Sequence, residues 1–306
     1  MIEGGLALVR RLAKWLELDR PKLGRLQIYP PRPVQIPRRY SVSSGMETGL
    51  AFAIVTPSFN QAGFLEETIR SVLEQGYRHV NYVVQDGGSS DGSRAILERW
   101  HPRLQFVSKP DNGQAAAINA GFATVHGDIM AYLNSDDLFL PGSLATVAAF
   151  FHRNPDVDCI YGHRIVIDAH GQEIGRWVLP PHDDTILSWA DYVPQETLFW
   201  RRRLWDKVVG LDESFRFAMD WDLLLRFRDA GARIVRLPRF LGAFRVHDLQ
   251  KTSAQLETIG EQEMARLRAR ALGRVPHYSE INAALAGYLR RHMAYDAAYR
   301  MGLLRY

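Results

Sequence analysis

The chain has 306 residues, of which 46% are hydrophobic, and its formal net charge at pH 7 is +4. This length and composition are typical of one large α/β domain with appendages, and the weak positive charge suits an anionic small molecule or membrane surface and gives no indication of nucleic acid binding. The one cysteine, Cys159, cannot form an internal disulfide, so we expect a reducing, cytoplasmic location and a buried apolar thiol.

The first fifty residues differ in texture from the rest of the chain. No window approaches the ~20 apolar residues of a membrane span. The segment also differs from a signal peptide, because basic residues interrupt its apolar residues. Leu6–Leu18 combines apolar residues at helical spacing with Arg and Lys. This pattern favours either a helix lying peripherally on the anionic inner face of a membrane or a helix docked on this protein or a second copy. Residues 20–50, rich in Pro and Arg, predict an extended connector.

Strands and helices alternate from Ala51 onward. Apolar runs predict strands within "LAFAIVTPSF", "VNYVVQD", "LQFVSK" and "IMAYLNSDD", and helical spacing predicts helices within "GFLEETIRSVLEQG", "GSRAILERW" and "GQAAAINAGFATVHG". Such alternation implies right-handed crossovers and a mainly parallel, Rossmann-like sheet flanked by helices. The carboxyl ends of such strands bind ligands. We therefore expect "TPSFN", "QDGGSSDG", "KPDNG" and "NSDD", which end these strands, to share one rim.

The remainder of the chain is less regular. It predicts strands within "CIYGHRIVI", "EIGRWVL", "ETLFWRR" and "RIVRLP", and a helix within "LLLRFRDAG" that Gly231 closes. Residues 255–306 predict helices. We therefore expect an N-terminal region of residues 1–50, a main domain of residues 51–254 with halves at 51–150 and 151–254, and a helical C-terminal extension.

Two adjacent acids, Asp136 and Asp137, end a strand that is otherwise apolar. Like charges side by side resist burial. A divalent cation held against a phosphate relieves their repulsion, and Mg²⁺ and Mn²⁺ prefer oxygen ligands. The alternative is a solvated turn, where Ser and Asp are common.

From about Phe52 to about Ser253 the sequence resembles family 2 glycosyltransferases of the GT-A fold. The resemblance rests on five segments in the same order, namely "IVTPSFNQAGFLEETIRSVLEQ", "VVQDGGSSDGS", "NSDDLFLPGSL", "FAMDWDLLLRF" and "FRVHDLQKTS". It implies a nucleotide-binding first half, an acceptor-binding second half, and a Mn²⁺ or Mg²⁺ cofactor.

The resemblance also implies roles for individual residues on the donor side. It places a set of residues near the nucleotide-sugar donor, with Asp86 accepting from the base and Phe59 flanking it: Pro57, Phe59, Asp86, Asp111, Gln114, Asn119 and Asp136. It implies that Asp137 binds the metal. The family more often has a second acid where this chain has Gly87, and this chain has Asn134 where a stricter Asp-x-Asp motif has an acid.

The chemistry needs a base that removes the proton of the acceptor hydroxyl. "MDWDLLLR" offers Asp220 and Asp222, and the resemblance selects Asp220. Asp222 is two residues further along the helix, where it is expected to point elsewhere and cap the N-terminus.

Three further side chains have both a functional and a packing interpretation. His247 is expected to complete the metal site or touch the diphosphate, and Gln195 and Trp221 are candidates for the sugar or acceptor pocket. Ordinary packing in a strand or helix explains each of them equally well.

We interpret the chain as an inverting, metal-dependent glycosyltransferase. It would move a sugar from a nucleotide sugar, predicted to be UDP-linked, to a glycan or lipid-linked acceptor in cell-envelope polysaccharide synthesis. One alternative is a nucleotidyltransferase that makes nucleotide sugars, but "TPSFNQAGF" lacks the basic residues such a loop needs. The other is a catalytically silent sugar-nucleotide-binding protein, which the joint presence of Asp137 and Asp220 disfavours. The oligomeric state is open.

Overall fold

The computed structural model describes residues 26–40, 48–248 and 259–306. The predicted amphipathic helix at Leu6–Leu18 lies outside these residues. Residues 26–40, part of the predicted extended connector, run against the main domain. Ile28 N donates to Ile174 O at 2.8 Å, Arg32 forms a β-bridge with Glu173, and a short 3-10 helix, Arg38–Tyr40, buries Tyr40 to 1% exposure.

The first half consists of four strands and three helices in the predicted alternation. These are β1 (Phe52–Ser58), α1 (Ala62–Leu73), β2 (Val80–Asp86), α2 (Ser93–Trp100), β3 (Gln105–Ser108), α3 (Gln114–Thr124) and β4 (Ile129–Tyr132). The strands are parallel and lie in the order β3-β2-β1-β4. The prediction of a parallel sheet with strand ends on one rim is therefore confirmed for this half.

The second half completes the sheet with mixed strand directions. Its elements are β5 (Leu138–Phe139), α4 (Ser143–Arg153), β6 (Cys159–Ile167), β7 (Glu173–Trp177), α5 (Asp184–Leu187), β8 (Phe199–Arg201), α6 (Arg202–Val208), α7 (Met219–Asp229) and β9 (Ile234–Arg245). Within the described residues, nine strands form one sheet that continues from β4 as β8-β6-β9-β5, with β7 paired to β6. A second 3-10 helix, Gln195–Thr197, precedes β8.

The sheet separates two apolar cores because its strand residues alternate between its faces. In β1, Phe52 and Ile54 pack into one core, and Ala53 and Val55 pack into the other. Every residue of β1 is buried, which is what a central parallel strand covered by helices on both faces requires.

The last strand is longer than the sequence indicated. The strand predicted within "RIVRLP" ends at Pro238, a residue that cannot donate a ladder hydrogen bond. Instead, β9 continues to Arg245: Pro238 is exposed, and the register against β6 shifts between Tyr161 and Arg164. A bulge of this kind lets a strand pass a proline. As a result, the strand reaches the rim that carries Asp136 and Asp137.

The predicted helical extension is present as α8 (Glu261–Leu272) and α9 (Tyr278–Arg300). Helix α8 contacts α7, and α9 contacts α5. Of the helices in the described residues, none has both the length and the apolar composition needed to cross a bilayer.

Candidate active site

The loops that follow β1, β2, β3 and β4 are joined to one another at the rim. Asn60 N donates to Ser89 Oγ at 2.8 Å, and Gln114 Nε2 donates to Asn134 Oδ1 at 2.7 Å. Because these bonds cross between separate strand ends, they hold the rim as one surface.

An exposed aromatic side chain and two acids lie together on one side of the rim. Phe59 comes directly after β1, the strand that contains Pro57. It is 62% exposed, which is unusual for a large aromatic residue. A Cβ added at Gly87 would lie 3.2 Å from Phe59 Cδ2 and 3.2 Å from Asp111 Oδ2. Phe59 and Asp111 therefore flank Gly87 closely, and a larger residue there would crowd both.

Asp86, the last residue of β2, is 2% exposed. Its Oδ2 accepts from Ser89 N at 3.0 Å and Ser108 Oγ at 2.6 Å, while Oδ1 accepts from Ser89 Oγ. A carboxylate has about four lone-pair positions, so most of its acceptor capacity is already used. Asp86 therefore holds the loop after β2 in addition to any contact with a base.

The predicted donor residues of α3 have different surroundings. Gln114 begins the helix and is bonded to Asn134 at the end of the neighbouring strand. Asn119 Nδ2 donates to Leu211 O and Glu213 Oε1, both at 3.0 Å, and its Oδ1 accepts from Leu211 N at 2.9 Å. The Asn119 amide thus holds the loop that leads to α7, and its donors are already engaged there.

Asp137 lies deep in the rim with 1% exposure. Its Oδ1 accepts from Arg245 N at 3.0 Å, and its Oδ2 lies 3.4 Å from Asn134 Nδ2. Burial, followed by the charge of Asp136, raises the pKa of the Asp137 carboxyl well above its usual range.

Asp136 is the more accessible of the two acids. Its side chain is 16% exposed, and its Oδ2 lies 2.9 Å from His247 Nε2. The His247 ring packs against Phe64 with ring centres 4.5 Å apart, and its buried Nδ1 has no hydrogen-bond partner in residues 26–40, 48–248 and 259–306. The structure therefore brings His247 into contact with Asp136, the neighbour of Asp137.

Mn²⁺ and Mg²⁺ are held in proteins mainly by oxygen donors. In the described part of the chain, no three or more His, Cys, Asp or Glu side chains are arranged as a metal site. The donor chemistry nevertheless fits such an ion, because two adjacent carboxylates end one strand and the Nε2 atom of His247 contacts the first of them. Asp136, Asp137 and His247 are therefore the residues that would hold the ion.

Asp220 lies in the first turn of α7. Its side chain is half-buried, and Oδ1 accepts from Trp221 N at 3.0 Å. Burial raises the pKa of the Asp220 carboxyl, and the charge of Glu263 adds to the increase. A raised pKa is a property that a general base operating near neutral pH needs.

A second acid, Asp191, interacts with Asp220. Burial, followed by the charge of Asp220, raises the pKa of Asp191 well above its usual range. The buried hydroxyl of Tyr132, at the end of β4, has no partner in the described residues, and burial together with the charges of Asp220, Asp191 and Asp137 raises its pKa. The charges of three acids from three segments thus act on the Tyr132 hydroxyl at the end of β4.

One buried ion pair supports this group of acids. Arg164 on β6 is 8% exposed, and its Nε donates to Glu196 Oε1 at 2.8 Å. The positive charge of Arg164 lowers the pKa of Asp137, Asp191 and Asp220, partly offsetting their burial.

The two residues that were candidates for the acceptor pocket have mainly supporting contacts. Gln195 is 8% exposed; its Nε2 donates to Tyr132 O at 2.8 Å, and its Oε1 accepts from Asn134 Nδ2 at 3.3 Å. Trp221 is 1% exposed, and its Nε1 donates to Leu187 O at 2.8 Å. Trp221 therefore supports the site from the core and does not line a pocket in this structure.

The expected cap at Asp222 is not formed. This carboxylate is fully buried, and it accepts from Arg226 Nε at 2.8 Å and from Arg270 Nη1 at 2.6 Å. The backbone N–H groups before α7 bond instead to Glu263. The reason is geometric, since Asp222 lies one turn into the helix and faces the two arginines.

Sequence reasoning missed Asp191, Arg164, Glu196, Arg245 and Glu263. Arg245 had a usable signal, since it is a basic residue only two positions before His247. Asp191 and Glu263 had none, because their relation to Asp220 depends on contacts between distant segments.

Comparison with known proteins gives consistent matches. The family model described as Glycosyl transferase family 2 matches residues 53–210, just over half of the chain. The O-antigen biosynthesis protein RfbC of Myxococcus xanthus is 30% identical over 188 residues, which are 60% of this chain and 15% of that protein.

Two solved structures share the fold. The crystal structure of S. aureus TarS 1-349 in complex with UDP-GlcNAc aligns with a TM-score of 0.59 at 18% identity, covering 80% of this chain and 73% of that one. The mannosyltransferase PcManGT from Pyrobaculum calidifontis, in complex with GDP-Man and Mn²⁺, aligns with a TM-score of 0.57 at 18% identity, covering 95% and 76%. At such low identity, these two likenesses support the fold alone.

Proposed function

The chain belongs to glycosyl transferase family 2 and has the GT-A fold, and on that premise we propose that it transfers a sugar from a nucleotide sugar to an acceptor hydroxyl with inversion. The observation that carries the proposal is that Asp137, Asp191 and Asp220 all act by their charge on the Tyr132 hydroxyl at the end of β4, on the sheet whose rim also carries the exposed ring of Phe59. This transfer needs acids for the ion and for proton removal, and an exposed ring can stack on the base of the donor.

Asp220 acts as the general base in this proposal. Its carboxylate accepts the proton of the acceptor hydroxyl while that oxygen forms a bond to the anomeric carbon. The bond from that carbon to the diphosphate oxygen breaks, and the nucleoside diphosphate leaves. One displacement with no covalent intermediate on the protein inverts the configuration. The raised pKa of Asp220 favours proton acceptance near neutral pH.

The donor would occupy the rim between β2 and β4. Phe59 is exposed enough to stack on a base, and Asp86 and Asp111 lie beside it to accept hydrogen bonds. Gln114, at the start of α3, would then contact the sugar side of the donor. Asn119 would act mainly by holding the loop before α7.

Asp136, Asp137 and His247 would hold a divalent cation, Mn²⁺ or Mg²⁺. The Mn²⁺ bound in the PcManGT structure supports this choice by analogy. When bound, the ion would neutralise charge on the leaving diphosphate. The contact of Asp136 Oδ2 with His247 Nε2 keeps the histidine at the rim.

We further propose a UDP-linked donor and a glycan or lipid-linked acceptor in cell-envelope polysaccharide synthesis on the cytoplasmic side of the membrane. The name of RfbC supports the polysaccharide, and UDP-GlcNAc bound to TarS supports the nucleotide. PcManGT binds GDP-Man, so GDP-linked sugars are the alternative donors against which UDP-sugars should be compared.

The test is release of nucleoside diphosphate from a panel of UDP-sugars and GDP-mannose, with and without Mn²⁺. We expect turnover with one donor class that chelation abolishes. Calorimetry with UDP should give Mn²⁺-dependent affinity that Asp137→Ala or His247→Ala removes, while the matched change Asp168→Ala, at a turn after β6, leaves it intact. Metal-sensitive binding that persists in Asp137→Ala would remove this acid from the metal site. Binding without any turnover would favour the silent sugar-nucleotide-binding protein.

A further inference from the structure

Helix α8 contributes one acid to the turn that precedes the proposed base. Glu263 is 9% exposed, and its carboxylate accepts three backbone hydrogen bonds. Its Oε1 accepts from Arg216 N at 2.7 Å, and its Oε2 accepts from Phe217 N at 2.9 Å and Ala218 N at 2.8 Å. Helix α7 begins directly afterwards, and Asp220 is its second residue.

The same helix makes further contacts around this turn. Arg270 Nη1 donates to the buried carboxylate of Asp222, and the Arg268 guanidinium lies 5.3 Å from the centre of the Trp221 ring. A Cβ added at Gly260 would lie 3.1 Å from the Phe217 ring. Helix α8 therefore contacts the residues on both sides of Asp220.

The turn also reaches across to the donor side of the rim. The side chain of Arg216, whose backbone N–H bonds to Glu263, donates from Nη1 to Asn112 O at 2.6 Å. Asn112 lies between Asp111 and Gly113 in the loop after β3. The turn thus touches the donor loop through one side-chain bond to a backbone carbonyl.

We propose that Glu263 is a positioning residue, which fixes the turn at residues 216–218 and thereby holds the Asp220 carboxylate where the acceptor hydroxyl must be deprotonated. This inference rests on the proposed function and adds a role for the C-terminal extension, which lies beyond the region of residues 53–210 matched by the family model.

The physical argument is that three N–H donors of one turn have a single shared acceptor. A carboxylate offers two oxygens and a full charge, so it can accept all three in charge-assisted bonds. Gln at this position keeps the size but turns one oxygen into an N–H donor that faces other donors. The turn must then relax, and a displacement of about 1 Å at a reacting group can cost roughly 100-fold in rate.

A merely structural role makes a different prediction from a positioning role. If Glu263 only stabilised the fold, its loss would lower the melting temperature while turnover of the folded protein stayed normal. If it positions Asp220, turnover per folded molecule falls while the donor, bound mainly at Phe59, Asp86 and the acid pair, keeps its affinity. Comparing the change in kcat with the change in donor KM distinguishes the positioning role from the structural role.

The experiment compares Glu263→Gln with Glu261→Gln in the full chain. Glu261 is on the same helix and is exposed, so its substitution makes the same change in charge away from the turn. With the sugar nucleotide that the wild type turns over, we expect kcat to fall roughly 10- to 100-fold in Glu263→Gln, with donor KM and UDP affinity in Mn²⁺ unchanged. Glu261→Gln should match the wild type, and Glu263→Asp, which keeps both acceptor oxygens, should recover part of the rate.

Asp220→Asn is measured in the same assay so that two failures can be told apart. If Asp220→Asn keeps wild-type turnover, the assignment of the base is wrong and the proposed function needs another base. If Asp220→Asn is inactive and Glu263→Gln turns over like Glu261→Gln, only the positioning role is overturned. Loss of folding in both Glu263→Gln and Glu263→Asp would also overturn it, because Glu263 would then be required by the fold as a whole.

Discussion

At the scale of single residues, two acids of α7 illustrate how surroundings decide a role. Asp220 and Asp222 are two positions apart, yet Asp220 is half-buried beside Asp191, and Asp222 is fully buried between Arg226 and Arg270. A carboxylate with two guanidinium partners is committed to structure. A carboxylate whose pKa is raised, and which interacts with a second acid, is suited to proton transfer.

Substitution of each acid by Asn separates these roles. Asp220→Asn removes the proton acceptor, so we expect turnover to fall about 100-fold or more, with donor affinity and folding stability little changed. Asp222→Asn leaves two guanidinium groups without their shared anion, so we expect it to lower the free energy of unfolding by about 3 kcal/mol and activity much less. Turnover assays and urea denaturation measure the two effects. The reverse pattern, with Asp222→Asn inactive and Asp220→Asn active, would assign the base to Asp222.

Asp191 gives a prediction about pH. Its pKa in the folded protein is raised above the unfolded value, chiefly by burial and then by the charge of Asp220. The stability associated with its proton is therefore fully present below the unfolded pKa and is lost as pH rises through the folded pKa. Asp191→Asn cannot ionise, so it should become more stable than the wild type as pH rises, by about 1.4 kcal/mol for each unit of pKa difference.

Chemical denaturation of the wild type and Asp191→Asn at a series of pH values tests this expectation. Asp184→Asn is the matched control, since this acid is at an exposed position in the nearby α5. A constant difference in stability between Asp191→Asn and the wild type across the pH range would contradict it.

At the scale of elements, the strands, helices and rim of the first half could be predicted from sequence. Apolar runs alternate with helical periods there, and parallel order follows from that alternation. The same reasoning brought "TPSFN", "QDGGSSDG" and "NSDD" together correctly. It missed α4 and α6, and it ended β9 too early, because a bulge at an exposed proline depends on the partner strand.

The supporting contacts of the site were beyond sequence reasoning for a related reason. Asn119 bonds to Leu211, and Glu263 bonds to the turn at residues 216–218, across separations that no local pattern records. Asp86 was assigned to the donor through the family resemblance, yet its hydrogen bonds from Ser89 and Ser108 are seen only when the loops are folded. Contacts within one element are encoded locally, whereas contacts between elements depend on the whole fold.

Helix α3 carries a prediction at this scale, since its small residues permit close packing on β1. A Cβ added at Gly121 would lie 2.5 Å from Val55 Cγ1 and 3.2 Å from Gln85 Cγ. Gly121→Ala should therefore push the helix off the sheet and lower the free energy of unfolding by about 1–3 kcal/mol, despite the better helix propensity of Ala. Because α3 begins with Gln114, donor affinity should fall with it.

Gly287→Ala in α9 is the matched control for that substitution. A Cβ added there meets nothing within 4 Å, so Ala should stabilise this helix by about 0.5–1 kcal/mol. Urea denaturation compares the two variants directly. Equal effects of the same sign would show that helix propensity, and not packing against β1, governs both positions.

At the scale of the whole molecule, segments from both sides of the main domain in sequence pack onto it. Residues 26–40 lie along β7, where Glu173 is fully buried and accepts from Arg32 Nη2 at 2.7 Å. Arg176 bonds to the same Glu173 and also donates to Tyr299 Oη of α9 at 2.7 Å. The connector, the sheet and the C-terminal extension are therefore linked through one buried acid. Shortening the chain inside residues 26–40 would expose core residues such as Ile28 and Tyr40.

This packing fixes how membrane contact by Leu6–Leu18 must be tested. The segment remains predicted from sequence alone, with its basic residues interleaved among apolar ones. If it binds an anionic membrane surface, the full chain should sediment with liposomes that contain anionic lipid and should release as salt rises. A chain beginning at Leu26 keeps every described contact of the connector, so it should remain folded and stay in solution.

Arg10→Glu combined with Lys14→Glu is the matched variant of full length, and it should lose binding to anionic liposomes while keeping turnover of a soluble donor. Equal sedimentation of the full chain and the shortened chain would show that Leu6–Leu18 adds no lipid affinity, and would favour its docking on this protein or on a second copy.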